Sequence, residues 1–330
     1  MSRELSLAEV FQLGYYWETK ILLTAVKLDV FSALDGRGRT AIEAAAGKVR
    51  ADVRALELLL NALVAIRLLT KTGDVYINTP VATTHLVKHS PQYVGHLLLL
   101  HDAEWSNWGK LEEAVTTGKH PVTQHVFETD PALGANVLSV LHRIGQQSGP
   151  DLAKRLALGH ARTMLDLGGG AGTNAIAFCQ VYPQISATVF DLPTTLPLTE
   201  RTVKDAGLEA RIALKSGDFN RDSLGEAYDV VLMSDILHYQ DLATNAALVK
   251  KIHGHLNPGG RLVIKDRFLD ASGTSPAWTA AFAVHILVNT ERGACYRTAE
   301  AMQWMHDSGY DSVEEIERTA VVQGIRPSAG

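Results

Sequence analysis

Cysteine is scarce in this chain, basic charge is not in excess, and long apolar runs are missing. Two cysteines among 330 residues, Cys179 and Cys295, cannot build a disulfide framework. Neither stands in a metal-ligand spacing, so both are expected to be reduced and buried, and no metal site is expected. Lys and Arg number 31 against 36 Asp and Glu, a formal net charge of −5. Broad attraction to nucleic acid or to an anionic membrane is therefore disfavoured. No uninterrupted apolar segment reaches the roughly 20 residues that a membrane span needs. The first residues, Met1 to Ser6, lack a basic region followed by an apolar core, so no secretory signal is expected. A soluble, cytoplasmic protein with neither a membrane nor a nucleic-acid partner is the expectation. What is present is ordinary globular material, 46% hydrophobic and 20% charged, and enough of it for two domains with ample cores.

The most informative stretch runs from Thr163 to Gly172. Met164, Leu165 and Leu167 make a short apolar run interrupted by Asp166, and Gly168, Gly170 and Gly172 follow at alternate positions. A helix-compatible run, 173–180, comes next. Strand, glycine turn and helix N-terminus in that order let a ligand's polar atoms rest against bare backbone. The dinucleotide fingerprint is G-x-G-x-x-G; here the third glycine arrives one residue early, which argues against NAD. A second strand, 186–190, ends in Asp191, a carboxylate roughly 20 residues past the glycines that suits a ribose diol. NAD and S-adenosylmethionine (SAM) share that diol. Beyond a third strand, 211–214, Gly217-Asp218-Phe219 offers an acid and an aromatic that suit an adenine, unless Asp218 merely caps its own turn.

From residue 160 onward strand-like runs alternate with helical ones: 163–167, 186–190, 211–214, 228–234, 261–265, then 311–317 and 319–325. Such alternation predicts a parallel sheet with helices on both faces, and the closely spaced last pair predicts an antiparallel ending. Asn257 to Gly260 reads as the turn into the fifth strand. Ligands of such sheets lie beyond the carboxyl ends of the strands, where Gly168, Asp191 and Ser234 converge.

Residues 8–34 carry apolar side chains at helical spacing, among them Val10, Leu13, Trp17, Ile21 and Leu28, too many for one face. These helices are expected to bury two sides, in an internal core or against another subunit. Thr40 to Glu43 is a capping box. Asp52 caps a helix striped by Leu56, Leu59, Leu60, Leu63 and Ile66, and a hairpin around Gly73-Asp74 follows. Helices and a hairpin in that order read as a winged helix. Its candidate recognition helix, Asp52 to Ile66, offers Arg54 and little other positive charge, which counts against DNA binding.

Leu165 to Gly172, Phe190-Asp191-Leu192-Pro193, Gly217 to Phe219 and Ile236-Leu237-His238, in that order, resemble the SAM-dependent small-molecule O-methyltransferases. That family includes the plant caffeate and flavonoid enzymes, acetylserotonin methyltransferase and bacterial polyketide-tailoring enzymes. The resemblance covers nearly the whole chain from about residue 8. It implies an α/β fold, a Rossmann-like SAM-methyltransferase sheet, preceded by an N-terminal all-helical, winged-helix dimerisation domain. The expected divisions are 1–95 for dimerisation, 96–150 for a helical connector contributing to the substrate pocket, and 151–330 for the SAM-binding catalytic domain. It also implies a homodimer, a metal-independent enzyme and a hydroxylated small-molecule acceptor.

Site residues follow from the same matches. Gly168, Gly170, Asp191, Leu192, Asp218, Phe219 and Ser234 are the cofactor candidates; Ser234 stands where plant members carry a lysine. His238, just past the fourth strand, is the candidate general base, or else a helix-start histidine bound to a carbonyl. Asp266 matches a position where the family often has Glu and is the candidate to orient that base. Tyr296 fills the slot of a second family Glu, and Tyr239 replaces a frequent Asp. These departures leave room for a SAM-binding relative that decarboxylates, hydroxylates or runs pericyclic chemistry; a SAM-sensing winged-helix regulator is a further reading. Along the helix 276–290, Trp278, Phe282, His285 and Asn289 share one face by spacing, as a pocket wall or as core, and His285 is the rival base. From the connector, Trp105 and His142 are the substrate-side candidates, the alternative being a solvated face.

Overall fold

The computed structural model describes residues 4–122 and 126–328. The chain divides into two compact units, Met1–Ala103 and Glu104–Gly330.

In the first unit Thr40 and Glu43 form the expected capping box, and Asp52 Oδ1 accepts the Ala55 N–H at 2.9 Å to start the helix Val53–Ala65. Leu56, Leu60 and Leu63 of that helix enter a core with Phe31 and Tyr76. The hairpin pairs β1 (Leu69–Thr72) with β2 (Val75–Asn78). Asp102, on the helix Gly95–Ala103, takes ion pairs from Lys20 at 2.7 Å and Lys27 at 2.6 Å, which ties that helix to Trp17–Lys27. Of the two expected burials for the N-terminal helices, the internal core does not take the first helix. Leu7–Leu13 buries none of its residues, because no element of its own unit covers it. Leu7, Val10, Phe11, Leu13 and Trp17 are all exposed.

The second unit is built on a seven-stranded sheet of order β5-β4-β3-β6-β7-β9-β8. Its strands are β3 (Thr163–Leu167), β4 (Ser186–Asp191), β5 (Ile212–Ser216), β6 (Tyr228–Ser234), β7 (Leu256–Lys265), β8 (Asp311–Glu317) and β9 (Val321–Ile325). The first five run parallel and the last two are antiparallel, as the spacing predicts. The strand containing Asn257 to Gly260 starts earlier than read from sequence, since this segment pairs rather than turns freely: Gly259 N–H donates to Arg326 O at 2.9 Å. Two apolar layers sandwich the sheet, one around Phe178, Met164 and Val189, the other around Phe190, Met233 and Ile264. The order reverses between β3 and β6, which opens the crevice above their carboxyl ends. A 26-residue helix, Pro131–Leu156, precedes the sheet and contains Pro150.

Candidate active site

The glycine loop leaves β3 with Gly168, Gly170 and Gly172 all at positive φ, 65°, 56° and 72°. Gly169 is excluded from carrying a side chain for a different reason: a Cβ there would lie 2.8 Å from the Asp166 carboxyl carbon. Asp166 itself is wholly buried, with Oδ2 accepting the Ala175 N–H at 3.0 Å and Oδ1 without a hydrogen-bond partner among the described residues. Burial above all, with the neighbouring Asp191 adding to it, pushes its pKa up to about 7.

Asp191 ends β4 facing this loop. Its carboxylate accepts Gly170 N–H and Leu192 N–H, both at 2.7 Å. Burial raises its pKa while those two bonds oppose the rise. The loop is thus held open by the very acid that suits a ribose diol. Phe219 lies against Gly168, 3.4 Å from where its Cβ would be. Asp218 does cap its own turn, accepting Asn220 N–H at 2.9 Å, and also meets Arg221 at 3.4 Å. Ser234 donates to Asp235 at 2.9 Å, and the paired strand brings Lys265 to the same place, 2.5 Å from Asp235 and 3.4 Å from Ser234. Burial alone would raise the Asp235 pKa, but Lys265 and Arg267 hold it below the ordinary value. Bare glycine backbone, a diol-sized acceptor at Asp191 and apolar flanks at Leu192 and Phe219 fit SAM.

His238 stands in a single 3-10 turn, Leu237–Tyr239, directly after β6. Its Nδ1 lies 2.7 Å from Asp266 Oδ1, and both side chains are buried. Asp266 is fixed in turn by Leu237 N–H at 2.9 Å on Oδ2 and Arg267 N–H at 2.7 Å on Oδ1. The shorter acid reaches because the turn folds back over the end of β7. Nδ1 is therefore committed to Asp266, and Nε2 is the nitrogen that can take a proton. The loop below is anchored by Asn245, which donates to Leu237 O at 3.0 Å. Tyr296, in the slot of the second acid, is a buried structural residue: its hydroxyl donates to Gln240 O at 2.5 Å and its ring meets Trp304 edge-on.

The helix Ala277–Asn289 presents the predicted stripe. Trp278 and Phe282 stack at 4.9 Å, Phe282 and His285 at 5.5 Å, and Asn289 Nδ2 donates to His285 Nδ1 at 3.0 Å. Phe282 also meets His238 edge-on at 5.2 Å, so stripe and base share one place. The sequence reading missed two residues there, Arg267 and Glu104. Arg267 spreads its guanidinium 4.8 Å over Trp278 and 5.3 Å over Phe282. Glu104, 3% exposed, comes within 3.7 Å of His285. Tyr239, the substitution beside the base, brings its ring within 4.4 Å of the His238 ring, centre to centre. Arg267 carries a usable signal, being next to Asp266; Glu104 carries none beyond preceding Trp105.

Trp105 opens the short helix Trp105–Trp108 and is half-buried, while Trp108 approaches His285 at 6.1 Å between ring centres. His142, read as substrate-side, sits where the helix Pro131–Leu156 meets the helix behind the glycine loop. It is buried, and its Nδ1 lies 2.9 Å from Thr173 Oγ1, at the start of the helix behind the glycine loop. Burial, then Arg143, lowers its pKa, which favours the neutral ring. One turn on, a Cβ at Gly145 would lie 2.9 Å from Thr173 Cγ2, and one at Gly149 would lie 2.8 Å from Ala177 Cβ. The two helices meet along a seam with no room for a methyl group.

Residues 108–311 match the O-methyltransferase domain family and residues 11–88 the O-methyltransferase dimerisation domain family. The tetracenomycin polyketide synthesis 8-O-methyl transferase TcmO of Streptomyces glaucescens is 32% identical over 94% of this chain and 91% of its own. A solved O-methyltransferase family protein from Burkholderia thailandensis is 28% identical, with a TM-score of 0.87 over 99% of this chain and 100% of that one. Human N-acetylserotonin methyltransferase, solved with SAM, superposes with a TM-score of 0.84 over all of both chains at 24% identity, a likeness of fold.

Proposed function

The chain belongs to the SAM-dependent O-methyltransferases, and from that premise we propose that it methylates a hydroxyl of an aromatic or polyketide-like small molecule, with His238 as general base. When bound, SAM supplies a methyl group on a positively charged sulfur. The chain's own residues do the rest. Gly168, Gly170, Asp191, Leu192 and Phe219 hold the cofactor, Asp218 and Ser234 lie at its margins, and Trp278, Phe282 and Asn289 line the acceptor side. His238 Nε2 takes the hydroxyl proton while Asp266, at 2.7 Å from Nδ1, fixes the tautomer and stabilises the imidazolium that forms.

The buried His238–Asp266 pair beside Phe282 is the observation that carries this reading. A positioned base contributes about 10²–10⁴-fold. His238→Ala should therefore lower methyl transfer at least about 10²-fold while the affinity for S-adenosylhomocysteine stays within about threefold. Retained transfer would remove the base assignment and turn attention to His285. The exposed first helix and the dimerisation domain support a homodimer joined through the N-terminal unit.

A further inference from the structure

We propose that Lys265 and Asp235 receive the amino-acid end of SAM, the lysine its carboxylate and the aspartate its ammonium. This rests on the reading above, in which the glycine loop and Asp191 hold the cofactor.

Strand register sets the direction in which the cofactor lies. Phe190, Leu167, Met233 and Ile264 form one row across β4, β3, β6 and β7. One residue further, Asp191, Gly168, Ser234 and Lys265 cross the carboxyl edge in the same order. The candidates for ribose and adenine, Asp191, Asp218 and Phe219, lie at the ends of β4 and β5 or just past them. The other end of the molecule therefore extends over the glycine loop towards β6 and β7. Ile236, next to Asp235, lies against that loop, its Cγ2 2.8 Å from where a Cβ on Gly168 would be.

At that end the chain presents two opposite charges side by side. Lys265 Nζ lies 2.5 Å from Asp235 Oδ2 and 3.4 Å from Ser234 Oγ. An ammonium carries three N–H groups, so those contacts leave one to reach a ligand. Asp235 Oδ2 also accepts from Ser234 Oγ at 2.9 Å. Its Oδ1 meets Arg267 at 3.9 Å, longer than a hydrogen bond, and keeps its acceptor capacity. The side chains of Lys265 and Asp235 are 35% and 33% exposed, so the pair is not sealed into the core. Asp235 stands at φ 58°, and its N–H donates to Lys265 O at 2.8 Å. A left-handed backbone is costly for a residue with a Cβ, and an exposed ion pair adds little stability. The fold alone gives no return for that strain.

The neighbouring cations are engaged elsewhere. Arg267 lies over Trp278 and Phe282 on the acceptor side, and Lys251 donates to the Phe219 and Asp222 carbonyls. The charge of Lys265 reaches beneath the glycine loop, where it opposes the upward shift of the Asp166 pKa. A plus–minus pair matches a zwitterion, which meets each charge with its opposite. A ligand ending in a single charge satisfies one partner and sets itself beside the like charge of the other.

Calorimetric affinities test this without turnover. The ligands are S-adenosylhomocysteine and two analogues of it, one without the α-carboxylate and one without the α-amine. Lys265→Met should weaken both carboxylate-bearing ligands about tenfold or more, the scale of one hydrogen bond between charged groups. The decarboxylated analogue should stay within about threefold. Asp235→Asn should do the reverse, weakening both amine-bearing ligands and sparing the deaminated one. A variant that weakens all three ligands alike has lost the shape of the edge, which would overturn the assignment, as would parental affinities throughout. A parent that binds none of the three would overturn the cofactor reading together with the assignment, so the parent's own binding tells the two failures apart.

Discussion

Gly293 lies so close under His238 that a Cβ built on it would be 2.1 Å from the His238 carbonyl oxygen. The same Cβ would meet Thr290 Oγ1 at 2.7 Å. The loop that carries the base is therefore seated on bare backbone. A misplacement of about 1 Å at a reacting group can cost on the order of 10²-fold. Gly293→Ala should reduce kcat by about 10–100-fold, with S-adenosylhomocysteine affinity within about threefold of the parent. A variant with parental kcat would mean that the loop yields without moving the imidazole.

Asp266 makes a separate prediction. Asn at this position keeps the shape and an oxygen for Nδ1 but removes the charge that stabilises imidazolium. Asp266→Asn should lower kcat by about 10²-fold and leave cofactor affinity little changed, as read by steady-state rates and calorimetry. Equal losses in the two quantities would assign Asp266 to holding the turn.

Asp166 should make stability depend on pH. Its pKa in the folded chain is pushed up to about 7, above the unfolded value of about 3.9. Between those values the folded chain keeps a proton that the unfolded chain releases. Stability from this group is therefore greatest below about pH 4, falls as pH rises to about 7, and is level above that. Asp166→Asn should raise Tm at pH 8 and flatten the slope between pH 5 and 7. A Tm profile parallel to the parent's across that range would contradict this.

The first helix tests the subunit contact. Leu13 is 77% exposed and Phe11 58%, a large apolar surface for one seven-residue helix. A double substitution, Phe11→Asp with Leu13→Asp, should shift the protein from dimer to monomer in sedimentation velocity. A dimer of unchanged strength would place the contact elsewhere.

What was legible in the sequence follows from how each feature is encoded. The glycine loop was readable because positive φ demands glycine, and Gly168, Gly170 and Gly172 all adopt it. The stripe Trp278, Phe282, His285 and Asn289 was readable because a helix repeats. Glu104, Arg267 and Gly293 were not, since each matters through a neighbour distant in the chain or across a turn, and no local periodicity records that. The contact between His142 and Thr173 was not legible, because sequence shows the ring and not the threonine beneath it. The first helix carries the apolar pattern that the sequence shows, and the described residues do not cover it.

The seam between Pro131–Leu156 and Thr173–Val181 bears on how this scaffold can be recombined. Gly145 and Gly149 lie against Thr173 and Ala177 with no clearance, and His142 pins the same threonine. A connector transplanted from a relative to change acceptor range carries half of that joint with it. Unless the matching positions on the helix behind the glycine loop travel too, the graft will prop the joint apart at the cofactor's end. Swaps on the two sides are thus expected to be non-additive, and the helix pair is the unit that has to be exchanged together.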